Sequence, residues 1–333
     1  MKNNSMRDRE RNAIILFSLL MILVAVSILS ICVGAVMYSP MQLFTESSTS
    51  AAGRILRYSR IPRTCCSLLA GASLAVSGAV IQNVLVNPLA APNIIGVNSG
   101  AGLMVAVCCA FLPFAPGLVP VFAFLGALFS VLLVLGISEG VGASRMTLVL
   151  SGVAISSLFT GLTDAVVTFV PDALSGYTDF KIGGFRGVTM ERLQPASVMI
   201  MIGFVVILVL VRRMDILGLG TETAQSLGLR VRPVRFLLLL AAALLAGAAV
   251  SFSGLMGFVG LLVPHIMRKL VGNEGLPLVI GCAFGGAILV SVCDTLARSL
   301  FSPFEIPVGI VLSLLGAPFF LWLLLRNKRR GHV

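Results

Sequence analysis

Charge is scarce in this sequence. Only 11% of its 333 residues are Asp, Glu, Lys or Arg, against about a quarter in soluble domains, while 58% are hydrophobic and the mean hydropathy is +1.05. That excludes an ordinary soluble domain and implies a polytopic membrane protein. Lysine is nearly absent: Lys2, Lys181, Lys269 and Lys328 are the whole set, and none follows a glycine. No GxxxxGK[ST] occurs, so ATP binding through a P-loop is excluded. The only histidines are His265 and His332, and there is no HExxH, no GxSxG and no paired-carboxylate constellation, so no catalytic residue is assigned. Seven cysteines lie in or beside apolar segments without CxxC spacing, and the adjacent pairs Cys65/Cys66 and Cys108/Cys109 project to different sides of a helix. They are read as small core hydrophobes, and no metal site is assigned. The net charge of +11 sits mainly in short loops and termini, where membrane orientation accounts for it and no nucleic-acid partner is needed.

What the chain does have is apolar runs. Residues 13–37 run without a charge after a basic start at Lys2, Arg7, Arg9 and Arg11, and read as a retained first span entering from the cytoplasm. Further apolar segments cover about 64–86, 94–112, 118–137, 147–169, 194–211, 236–253, 255–270, 277–297 and 306–325. The sum is about ten transmembrane helices in an all-α protein, with both termini cytoplasmic, as the basic tail from Arg326 to Arg330 agrees. Arg145, the Arg212–Arg235 loop and Arg268/Lys269 then face inward. Arg54, Arg57, Arg60, Arg63, Lys181, Arg186, Arg192 and Arg298 face outward, where charge bias gives no reason for them. Asp294 lies one helical turn from Arg298 and is expected to orient it.

The loop Arg212–Arg235 is a polar interruption between two spans. Gly218 and Gly220 break the first, Thr221, Glu222 and Thr223 supply cap oxygens and a first-turn acid, and Gly228 offers a stop, which predicts a short helix over Thr221–Leu227. An internal repeat is also visible. Leu68–Pro88 aligns without gaps to Leu244–Pro264, with nine identities in 21 positions, and the second copy falls five spans later, hence inverted. Two readings stand: a transporter-type inverted repeat, or two helices that both need small residues for close packing. In the fifth span Gly152, Ser156, Thr160 and Asp164 recur every four residues, a small and polar stripe that lines a path or serves packing.

The block RIPRTCCSLLAGASLAVSGAVIQNVLVNPLAAPNIIGVNSGAG, Arg60–Gly102, resembles the signature of the permease subunits of iron-siderophore, haem and cobalamin ABC importers. GLMGFVGLLVPHIMRKLVG, Gly254–Gly272, and DTLARSLFSPFEIPVGIVLSLLGAPFFLWLLL, Asp294–Leu325, resemble the same family in the same order. The resemblance implies a fold like the cobalamin-importer permeases: one transmembrane domain over 1–333, repeat halves at about 60–170 and 236–325, and a cytoplasmic coupling loop at 212–235. It implies a dimer with a second copy or a paralogue, two separate ATPase subunits that bind ATP and magnesium, and an extracytoplasmic substrate-binding protein. No cofactor is expected on this chain, and the place implied is the cytoplasmic (inner) membrane.

By the same resemblance, Arg60, Arg63 and Arg298 dock acidic residues of the binding protein, with lipid-headgroup anchoring as the competing view. The coupling segment is Leu217, Gly218, Leu219, Gly220, Thr221, Glu222, Thr223, Ala224, Leu227 and Gly228. The family more often has two acids after the second glycine, and Thr221 replaces the first, so contact is expected through shape and through Leu219, Ala224 and Leu227. Gly152, Ser156, Thr160, Asp164, Lys181, Gly183 and Gly184 are assigned to the translocation path. Lys181 departs from the family pattern and either favours an anionic cargo or is a solvated loop lysine. A secondary carrier with inverted repeats, coupled to ions through Asp164 or Asp294, is the alternative for the same residues.

Overall fold

The computed structural model describes residues 2–34, 36–41, 50–142, 144–273, 275–300 and 304–330; His332 lies outside them. Every predicted apolar segment contains a helix. In order these are α1 (Lys2–Cys32), α2 (Ala51–Ile55), α3 (Ile61–Leu85), α4 (Val97–Phe111), α5 (Val119–Val141), α6 (Arg145–Phe169), α7 (Ala173–Ile182), α8 (Met190–Gly218), α9 (Thr221–Ser226), α10 (Val231–Ser253), α11 (Val259–Val271), α12 (Gly275–Ser299) and α13 (Val308–Arg330). Seven helical runs among the described residues are long and apolar enough to cross a membrane.

Two segments are shorter than the sequence implied. The 15 residues of α4 and the 13 of α11 rise about 1.5 Å each, short of a hydrocarbon core of about 30 Å. Each is preceded by irregular chain: a 3-10 turn at Pro92–Ile95 closed by Gly96, and the stretch 254–258. The second span, by contrast, starts earlier than expected. Pro62 cannot donate a backbone hydrogen bond, and the helix meets it through a π turn, Leu56–Arg60, which carries α2 into α3. Arg54 and Arg57 therefore sit on a helical extension and not in a loop.

The core is built on α3 and α10, each with 78% of its most apolar window buried. Lipid offers no hydrophobic drive to press helices together, so close approach through small residues holds them. Gly71 lies against the backbone of Gly286 and the reverse, and Gly78 lies against Gly260. Ser67 and Ser291 share a hydrogen bond of 2.7 Å, and Ser77 donates to the Ala242 carbonyl at 2.8 Å. The two repeat copies share sequence but not course: the first runs unbroken in α3 from Leu68 to Leu85, whereas the second breaks after Ser253, midway through the repeat. The aligned Gly78 and Gly254 serve different ends, one a helix–helix contact and the other a helix stop at φ +70°.

Candidate functional site

At one end of the bundle, α1, α3, α12 and the segment before α13 converge on three arginines. Arg63 grips the Asp294 carboxylate with Nε at 3.1 Å to both oxygens and Nη2 at 2.9 Å, and its Nη1 reaches Glu305 at 2.8 Å. Asp294 is fully buried. Arg298 donates to the carbonyl and hydroxyl of Ser30, and its Nε stands 3.7 Å from Asp294. Arg60 caps the chain leaving α1, with Nη1 2.6 Å from the Val33 carbonyl and Nη2 2.8 Å from that of Val36, and it lies over the Tyr38 ring at 5.6 Å. Two expectations change here. Asp294 is bound chiefly by Arg63, 231 residues away, and only loosely by its helix neighbour Arg298. The arginines are not equally outward: Arg60 and Arg298 are buried, and Arg63 alone reaches the rim through Glu305. Burial alone would raise the Glu305 carboxyl, but the hydrogen bond and charge of Arg63, with Arg186 and Arg298, hold it below its usual range.

Beside this cluster the backbones of three segments meet. Gly184 donates to Ser253 at 2.8 Å, Leu255 to Phe180 at 3.0 Å, and Gly309 to Gly183 at 3.3 Å. Gly183 is buried at φ +71° with the Leu255 carbonyl where a Cβ would stand, so no other residue fits without rearrangement. Lys181 is not a loop residue. It lies in the last turn of α7, exposed, with Nζ 6.0 Å from the Tyr177 ring centre, whereas Gly183, the residue that ends the helix, is buried.

The polar stripe of α6 does not keep to one side. Positions four apart drift about 40° per step around a helix, hence about 120° over three steps. Gly152 is packed on the Ile94 carbonyl, Ser156 accepts from Ser99 at 3.2 Å, and Thr160 and Asp164 are exposed.

At the opposite end, α9 forms as a six-residue helix within the Leu217–Gly228 segment. Gly220, at φ +116°, takes the N-cap position, so the cap is not a side-chain oxygen of Thr221, Glu222 or Thr223 as expected. Thr221 instead accepts from buried Arg235 at 3.2 Å. The stop at Gly228 is as predicted: φ is +80°, Gly228 donates to Gln225 at 2.9 Å and Leu229 to Ala224 at 3.0 Å, a Schellman closure. Leu217 and Ala224 are fully buried and anchor the segment, while Leu219 at 64% and Leu227 at 61% exposure face outward with Glu222 and Thr223. Ala224 is thus an anchor and not part of the exposed surface.

Next to Gly218 and Leu219 opens a cavity of about 590 Å³. On its wall Arg268 donates to the side chains of Gln82 and Asn83, the latter at 3.0 Å, and ties α11 to the last turn of α3. Sequence reasoning gave Arg268 only a topological use, and Gln82 and Asn83 none.

Buried helices joined by small residues, with an arginine cluster at one end and a short loop helix at the other, define an integral membrane protein. The model of the FecCD transport family matches residues 21–326. The hemin transport system permease protein HmuU of Yersinia pestis is 36% identical over 98% of this chain and 99% of its own. The Fe(3+)-citrate import system permease protein YfmE of Bacillus subtilis is 34% identical over 97% and 98%, and the vitamin B12 import system permease protein BtuC of Yersinia pseudotuberculosis 34% over 97% and 96%. A solved structure described as an inward-facing conformation of an ABC transporter of metal-chelate type superposes with a TM-score of 0.85, at 31% identity, over 94% of this chain and 99% of that one. The chain belongs to the FecCD transport family. It is a permease subunit of an ATP-binding-cassette importer.

Proposed function

We propose that the chain carries an iron chelate, a ferric siderophore first of all, inward across the cytoplasmic membrane. The cargo assignment rests on relatives named for hemin and ferric citrate. The pump is a dimer with a second copy or a paralogue, resting on two ATPase subunits that hold the ATP and magnesium, and it receives cargo from an extracytoplasmic binding protein. The chain's termini and α9 face the cytoplasm, by the charge rule.

The observation that carries the mechanism is α9. It is a short helix fixed at both ends by glycines, rooted by Leu217 and Ala224, and presents Leu219 and Leu227 outward. Closure of the ATPase pair pushes on those two leucines. Through the α8–α9–α10 continuity the push reaches the core helices, and α6 and α13 change access to the path. Thr160 and Asp164, exposed on α6, face that path, while Gly152 and Ser156 support the helix from behind. Arg63, held by Asp294, is the docking contact that the binding protein reaches first, with Arg298 behind it as the second and Arg60 fixing the chain that leaves α1.

The cargo assignment is tested by uptake into proteoliposomes that contain the permease, its ATPase subunits and its binding protein, offered a ferric siderophore, hemin and cobalamin in turn. Iron-containing cargo enters, ferric siderophore fastest. Entry of cobalamin alone overturns the assignment.

A further inference from the structure

Arg63 divides its donors between two acids of different kind. The inner edge of its guanidinium holds fully buried Asp294 through Nε and Nη2, which fixes the plane of the group. The outer nitrogen, Nη1, is thereby aimed at the rim, where Glu305, 41% exposed, occupies it at 2.8 Å. An exposed ion pair of this sort contributes little and is readily exchanged.

Glu305 also stands between two cavities. One, of about 380 Å³, lies toward Asp179, Gly184 and Arg186. The other, of about 230 Å³, is lined by Arg60, Arg63 and Arg298, and Arg298 Nη1 is buried there with no partner among the described residues. Among the described residues, the guanidiniums of Arg60, Arg63 and Arg298 surround the carboxylates of Asp294 and Glu305, and Arg298 Nη1 is a donor in reserve. The segment that carries Glu305 leads directly into α13. Ile306 donates to the Ala297 carbonyl at 3.1 Å, and two residues into the helix Gly309 donates to Gly183 at 3.3 Å.

We propose that Glu305 is an internal stand-in for the docking partner's carboxylate. It occupies Arg63 Nη1 in the undocked permease, and an acidic side chain of the binding protein displaces it, with Arg298 Nη1 as the second donor. The exchange releases the 304–307 segment from α3 and so registers docking at the head of α13 and at the Gly183 junction. The inference rests on the docking role of Arg63 and adds a competitor to it.

The test is the affinity of the fluorophore-labelled binding protein for the complete transporter in nanodiscs, permease with ATPase subunits, at low and high salt. Glu305→Gln keeps the shape of the side chain, removes the competing charge, and tightens docking by about fivefold, the upper end of what an exposed pair is worth. Glu305→Asp, which keeps the charge on a shorter stem, tightens it less. Unchanged or weaker docking in both variants, each eluting as an intact complex, overturns the stand-in role. Arg63→Gln separates the two ideas. If it leaves docking unchanged, the docking role of Arg63 itself is wrong; if it weakens docking while Glu305→Gln has no effect, only the stand-in role falls.

Discussion

Asp294 shows how much one buried carboxylate is asked to hold. It lies on α12, receives three hydrogen-bond contacts from Arg63 on α3, and partly offsets the charge of Arg298. Removing one partner of a buried, hydrogen-bonded pair typically costs about 3–5 kcal/mol, because the other charge stays buried. Asp294→Asn is therefore expected to lower the thermal midpoint of the solubilised permease clearly more than Glu305→Gln, whose carboxylate is at the rim. Differential scanning fluorimetry of both variants decides this, and equal midpoints contradict it. Glu305 also gives a pH dependence. Its carboxyl is held below the ordinary value of 4.5, so its contribution is complete above that value and is lost as the pH falls through the lower, folded one. The difference in midpoint between the wild-type chain and Glu305→Gln should be constant near neutrality and shrink only below about pH 4.5. A difference that shrinks between pH 6 and 8 identifies another group.

At the scale of elements, the loop helix α9 was legible because its signals are local: a glycine pair, polar first-turn residues and a stop glycine. What the sequence could not supply was which side of α9 faces in. Ala224 is buried and Leu219 and Leu227 are not, and that depends on α8 and α10 flanking it. Ala224→Pro breaks both the helix and the anchor, and is expected to abolish coupled uptake. Leu227→Asp leaves the fold intact, since Leu227 is exposed, and is expected to weaken ATPase association, measured by co-elution on size exclusion. Full co-elution of Leu227→Asp would remove the apolar contact from the account. Thr221 is the mild case. It already accepts from the Arg235 guanidinium, and Thr221→Asp would turn that bond into an ion pair, adding at most about 1 kcal/mol, visible as a slightly raised thermal midpoint.

For the whole molecule, the apolar spans were visible because about 20 apolar residues leave a long signal in composition. Three features were not. The Arg63–Asp294 pair joins residues 231 apart, and only the packing of α3 on α12 brings them together. The helix α7 lies in a stretch of mixed polarity with no periodicity to announce it. The α6 stripe was a matter of phase: four-residue spacing looks like one face over a single step and turns away over three. The family's motifs supplied what local chemistry did not, namely a pump whose motor is on other chains.

That claim has a direct measurement: entry of radiolabelled iron, as a ferric siderophore, into proteoliposomes with and without the ATPase subunits, with ATP present and with vanadate added. Uptake that requires the ATPase subunits, needs ATP and is blocked by vanadate is the predicted result. Uptake by the permease alone, driven by a proton or sodium gradient and lost in Asp164→Asn, would contradict it.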